Sequence, residues 1–141
     1  MVAKLNPYLN FNGQAAEALA FYKESLDGEV TDLRHWRDMP GADPASATGG
    51  MVMHSELKLG GGLVMLSDSA PDCPGPERGG NASVCLHYED VPAMEAAFVK
   101  MSEGGKVDCP MGDSFWGARF GMLTDRFGVS WLFHGPMPKG E

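Results

Sequence analysis

Four histidines, His35, His54, His87 and His134, three cysteines and 19 acidic residues are the chemistry-bearing inventory of this chain of 141 residues. Three sites of interest emerge. His54 and Glu56 are two apart, so on a strand they share a face. His87 and His134 each end an apolar stretch. Arg119 lies within "FWGARFGMLTDRFGVSWLF", residues 115–133, among six aromatics and near Asp125 and Arg126. Imidazole and carboxylate suit proton transfer or a divalent metal. A guanidinium suits bidentate capture of a carboxylate or phosphate. None of these residues sits in a spaced signature, so each has a bland alternative: a hydrogen-bonded or exposed histidine, or a structural ion pair from Arg119 to Glu56 or Asp125. Cys73, Cys85 and Cys109 form no CxxC pair and show no nucleophile motif, which fits a reducing cytoplasmic setting.

The elements that must position these groups show up as a repeat. "LNFNGQAAEALAFYKESLDGEV" (9–30) lies over "LHYEDVPAMEAAFVKMSEGGKV" (86–107) at an offset of 77 without gaps, with Ala20/Ala97, Phe21/Phe98, Gly28/Gly105 and Val30/Val107 among the identities. "VMHSELKLGGGLVMLS" (52–67) lies over "RFGMLTDRFGVSWLFH" (119–134) at an offset of 67. Each copy reads as a short strand, an amphipathic helix (about 14–26 and 91–103), a strand, then a glycine-turned hairpin. Ala15, Ala18, Leu19, Tyr22 and Leu26 form the apolar stripe of the first helix, and Gly28 and Gly105 are expected as left-handed C-caps. The expected class is α+β: two tandem βαβββ modules forming a curved mixed or antiparallel sheet cup, with helices outside. The expected layout is one domain over 1–141, with module 1 at 5–68, a linker at 69–81 and module 2 at 82–134. The stretch 38–50 reads as an inserted loop.

Composition narrows the class. With 43% hydrophobic residues the chain can bury a core. A net charge of −8 argues against nucleic acid as a partner. No apolar run reaches membrane-spanning length and no secretory signal is evident, so a membrane partner is not expected.

The duplicated βαβββ pattern, "AEALAFYKESLDGEV" and "TDRFGVSW" resemble the vicinal oxygen chelate superfamily, which includes glyoxalase I, extradiol dioxygenases and bleomycin- and fosfomycin-resistance proteins. Together with "NPYLNFNG" and "HSELKLGGGLVMLSD" they look like its PhnB-like subfamily. That subfamily has carried a demethylubiquinone methyltransferase label. No glycine-rich loop between a strand and a helix supports it here.

The resemblance implies a divalent metal held by His, Glu or Gln from the first and last strands of each module. Those positions are Asn6, Met65, Ser83 and Leu132 here. Met and Leu are unfit for such an ion, and Asn and Ser are weak neutral ligands. No cofactor is therefore expected, and a divalent metal is disfavoured.

Strand alternation assigns faces. Leu9, Phe11, Val64, Leu66, Leu86, Tyr88, Trp131 and Phe133 should pack under helices, as should Met51, Met53, Phe120 and Met122. The cup wall should carry Tyr8, Asn10, His54, Glu56, Met65, Ser67, His87, Arg119, Leu132 and His134, with Trp116 at its mouth to stack on a planar ligand.

The reading is a protein that binds a small molecule, an anionic one included on the strength of Arg119, as a homodimer and without the usual metal. Two alternatives stand beside it. One is a lyase, isomerase or dioxygenase whose metal is held by His54, Glu56, His87 and His134. The other is metal-free acid–base chemistry, with His87 or Glu56 as base and Arg119 stabilising an oxyanion.

Overall fold

The computed structural model describes residues 1–43, 49–69, 81–114 and 117–137. The chain divides into two compact units, Met1–Glu77 and Arg78–Glu141. Each is a βαβββ module, and the class is α+β.

Module 1 comprises β1 (Tyr8–Phe11), α1 (Ala15–Leu26), β2 (Glu29–His35), β3 (Val52–Leu59) and β4 (Gly62–Asp68). Its sheet runs β1-β4-β3-β2, with β1 parallel to β4 and the other pairs antiparallel. Module 2 repeats this with β5 (Val84–His87), α2 (Val91–Ser102), β6 (Lys106–Asp113), β7 (Ala118–Thr124) and β8 (Ser130–Pro136), in the order β5-β8-β7-β6. In each module one helix covers one sheet face, and the core lies between them. Ala15, Ala18, Leu19 and Tyr22 of α1 meet a sheet face carrying buried Leu57, Val64 and Leu66. In module 2, Met94, Ala97, Phe98 and Met101 of α2 meet buried Leu123, Trp131 and Phe133. Phe98 stands edge-on to Phe133 with ring centroids 5.3 Å apart.

Helix ends are held differently in the two copies. Asp90 caps α2 directly, its carboxylate accepting from the Ala93 amide at 3.3 Å, with Pro92 in the first turn. The first helix has no cap of its own. Asp68, at the end of β4 and 2% exposed, accepts from the amides of Gly13 (2.7 Å), Ala15 (3.0 Å) and Val52 (2.9 Å). One carboxylate thus satisfies the start of α1 and ties β4 to the start of β3.

Three expectations need correction. The last buried residue of the α1 stripe is Ser25 in place of Leu26. The left-handed residue after α1 is Asp27 (φ 54°), and after α2 the positive φ falls on Gly104 (φ 75°), not on Gly28 or Gly105. Those two glycines serve close approach: a Cβ on Gly28 would come within 2.8 Å of the Leu57 and Leu59 side chains, and one on Gly105 would strike the backbone of Thr124 and Asp125.

The third correction concerns register. In hairpin β3–β4 Leu57 faces Val64, whereas in β7–β8 Leu123 faces Trp131. The second turn is one residue longer, so β7 matches β3 at an offset of 66 while β8 matches β4 at 67. A one-residue slip exchanges the two faces of a strand. Phe120 and Met122 therefore lie on the face away from α2, and Arg119 lies on the helix side. The helices slip too: buried Ala18 and Tyr22 correspond to Met94 and Phe98, an offset of 76, so Phe21, the sequence match of Phe98, is only half-buried.

Within the long turn, Asp125 is 3% exposed. Its carboxylate accepts from the amides of Phe127 (2.8 Å) and Val129 (3.0 Å) and from the Trp131 indole N–H (2.9 Å). Gly128 holds a positive φ of 88°. This is turn chemistry. The proposed linker 69–81 and the inserted loop 38–50 fall largely or partly outside the described residues.

Candidate functional site

The sheet face opposite each helix carries the residues able to bind or react. On module 1, cross-strand pairing puts Tyr8 beside Met65, Asn10 beside Ser67, and Glu56 beside Met65 on the other flank. The Tyr8 hydroxyl lies 3.2 Å from His54 Nδ1, with the two rings 5.9 Å apart. His54 Nε2 lies 3.7 Å from the Glu56 carboxylate. Tyr8 and Asn10 are exposed, His54, Glu56 and Met65 are half-buried, and Ser67 is buried.

Asp32, absent from the expected site, also stands on this face. An extra residue bulges β2 between Val30 and Asp32, and Asp32 thereby pairs with Glu56. Ligand atoms of Asp32, His54 and Glu56 lie within 4.8 Å of one another. Alternation counted along β2 does not reveal this, because the bulge breaks the period of two.

On module 2, Cys85 pairs with Leu132, and His87 with His134. The two imidazoles meet edge to face at 5.1 Å, and Cys85 Sγ lies 3.4 Å from His87 Nε2. Phe120 faces His134 and Met122 faces Leu132 across the ladder. Burial pushes the Cys85 thiol up, away from the thiolate a nucleophile needs.

Arg119 belongs to neither open face. Its Nε donates to Glu95 of α2 at 2.7 Å, and its Nη1 donates to Asp113 of β6 at 3.1 Å. These hydrogen bonds, that to Glu95 foremost, raise its already high pKa. It is a structural ion pair, with partners other than the expected Glu56 or Asp125. Arg119 is thus placed neither to hold an anionic ligand on these faces nor to stabilise an oxyanion there. Trp116, expected at the mouth, lies outside the described residues.

The positions that the resemblance assigns to a metal supply no donor set. Met65 sits between Tyr8 and Glu56, Leu132 sits between Cys85 and Met122, and the Ser83 hydroxyl is engaged with that of Ser130 at 2.6 Å. Asn6 precedes β1. A thioether and an isobutyl group at these positions do not fit a hard or borderline divalent ion.

Two tandem βαβββ modules, each a four-stranded mixed sheet with a helix on one face, define the class of fold. The Glyoxalase/Bleomycin resistance protein/Dioxygenase superfamily model matches residues 4–133, and the chain belongs to that superfamily. It is similar to protein PA1353 from Pseudomonas aeruginosa, whose crystal structure matches with a TM-score of 0.84 at 34% identity, covering 96% of this chain and 98% of that one. The PhnB protein from Bacillus cereus matches with a TM-score of 0.73 at 25% identity, covering 94% and 98%. Protein YjdN of Escherichia coli is 28% identical over 139 residues, which is 92% of this chain and 93% of that protein. Among the described residues no helix is long and apolar enough to cross a membrane.

Proposed function

We propose that this protein binds a small, largely apolar molecule against its open sheet faces, without a metal at the superfamily's customary positions. The observation that carries the reading is the face of module 2. Phe120, Met122 and Leu132 remain half-exposed on a sheet whose other side packs against α2, with His87 and His134 beside them. An apolar surface with a few polar groups at its margin is how ligand sites are generally built. On module 1, Tyr8, His54 and Met65 offer a similar mixture. Assembly as a homodimer is part of the proposal, and light scattering tests it against the 15.1 kDa chain mass.

The test is a thermal-shift screen of small planar and aliphatic compounds, run in excess chelator. Hits are then measured on Leu132→Lys and His134→Gln. At least one compound should raise Tm in the wild type, and Leu132→Lys should abolish that shift while keeping the far-UV spectrum. A hit that binds both variants as well as the wild type, or a screen without any hit, overturns the reading.

A further inference from the structure

We infer that Asp32, His54 and Glu56 form a site for one divalent transition-metal ion, displaced by two strands from the position the superfamily customarily uses. The inference goes beyond the ligand-binding proposal and does not depend on it.

Three observations converge. Donor atoms of the three side chains lie within 4.8 Å of one another. In a bound site with metal–ligand distances of about 2.0–2.2 Å, neighbouring donors sit roughly 3 Å apart. Rotations of half-buried side chains close that difference. His54 is also already oriented. With Tyr8 at Nδ1 and the Glu56 carboxylate toward Nε2, the ring presents Nε2 as the ligand and holds its other nitrogen on a hydroxyl.

The second observation is electrostatic. Asp32 and Glu56 are direct cross-strand partners, and like charges in that position destabilise a ladder. Arg34 offsets this only in part. Its Nε reaches Asp32 at 3.3 Å, but its side chain is 60% exposed, and such pairs are weak and readily broken. A divalent cation between the carboxylates removes the repulsion that the fold otherwise tolerates.

The third is internal to the repeat. Module 2 has the same bulge, with Val107 opposite Leu123 and then Cys109 opposite Met122. Its counterparts of Asp32, His54 and Glu56 are Cys109, Phe120 and Met122. The same backbone is thus built with apolar side chains, so the fold does not require the polar trio of module 1. One imidazole and two carboxylates suit Zn²⁺ or Mn²⁺.

Calorimetric titration of metal-free full-length protein with Zn²⁺, and Mn²⁺ electron paramagnetic resonance, test the site with the ion alone. Cys85→Ser serves as the background that removes the thiol next to His87. One saturable ion per chain is expected. His54→Gln and Glu56→Gln should each weaken binding more than tenfold, Tyr8→Phe about tenfold, and Arg34→Gln should tighten it by freeing Asp32. Should a Gln variant lose its far-UV spectrum, Asp32→Asn on the edge strand carries the same test. Absence of a saturable isotherm, or binding unchanged in folded His54→Gln, Glu56→Gln and Asp32→Asn, overturns the inference. The ligand screen is run in chelator, so either result stands without the other.

Discussion

Removing the Asp125 carboxylate should be among the most damaging single changes outside the apolar core. The side chain is 3% exposed and accepts three hydrogen bonds, from the Phe127 and Val129 amides and from the Trp131 indole, itself fully buried. Asp125→Ala strands all three donors. A buried unsatisfied group costs about 1–3 kcal/mol, and such penalties within one network do not add fully, so a loss of roughly 3–5 kcal/mol is expected. Asp125→Asn separates the contributions. Its amide oxygen still serves both backbone donors in the turn, but its NH2 faces the indole N–H, and a loss of about 1–3 kcal/mol follows. Urea unfolding followed by far-UV circular dichroism gives the two differences. The indole proton of Trp131 should shift in both variants. Asp125→Ala within about 1 kcal/mol of wild type, or Asp125→Asn as damaging as Asp125→Ala, would refute the assignment of this carboxylate as the organiser of the turn.

Further outcomes follow from the same geometry. Gly105→Ala should cost well over Gly28→Ala in the same urea assay, because the first Cβ meets the backbone of Thr124 and Asp125 and the second meets leucine side chains that can rotate; equal costs would count against the close-approach reading. Arg119→Gln should lower Tm slightly and leave the affinity of any screened ligand within twofold, whereas a tenfold loss of affinity would return Arg119 to the binding face. Cys85 should react with iodoacetamide more slowly than a free cysteine peptide at neutral pH, since burial favours its protonated form. Because the folded thiol's pKa is raised, its contribution favours the fold below the ordinary thiol range and fades as pH rises through it.

The repeat, both helices, all eight strands and the superfamily were legible because periodic apolar positions and glycine turns recur in both copies. The faces of β1, β4, β5 and β8 followed from alternation alone: Val64, Leu66, Trp131 and Phe133 are buried as that alternation requires. Arg119, Phe120 and Met122 were misplaced because matching the hairpins without a gap hides the extra turn residue, and one residue reverses a strand's faces. Asp32 went unseen for a related reason, since a bulge leaves no mark in the composition of β2. The tie from Asp68 to the start of α1 spans 53 residues of sequence between the paired groups. No local cap signal announces it. Strand faces were thus readable where the ladder is regular and hidden where a single residue interrupts it.

Chemical-shift mapping with a hit from the screen tests the central claim most directly. Titrated into isotopically labelled protein, it should perturb the resonances of Tyr8, His54 and Met65 or those of Phe120, Leu132 and His134. Perturbations confined to the outer surfaces of α1 and α2, with both open faces unchanged, would contradict the account.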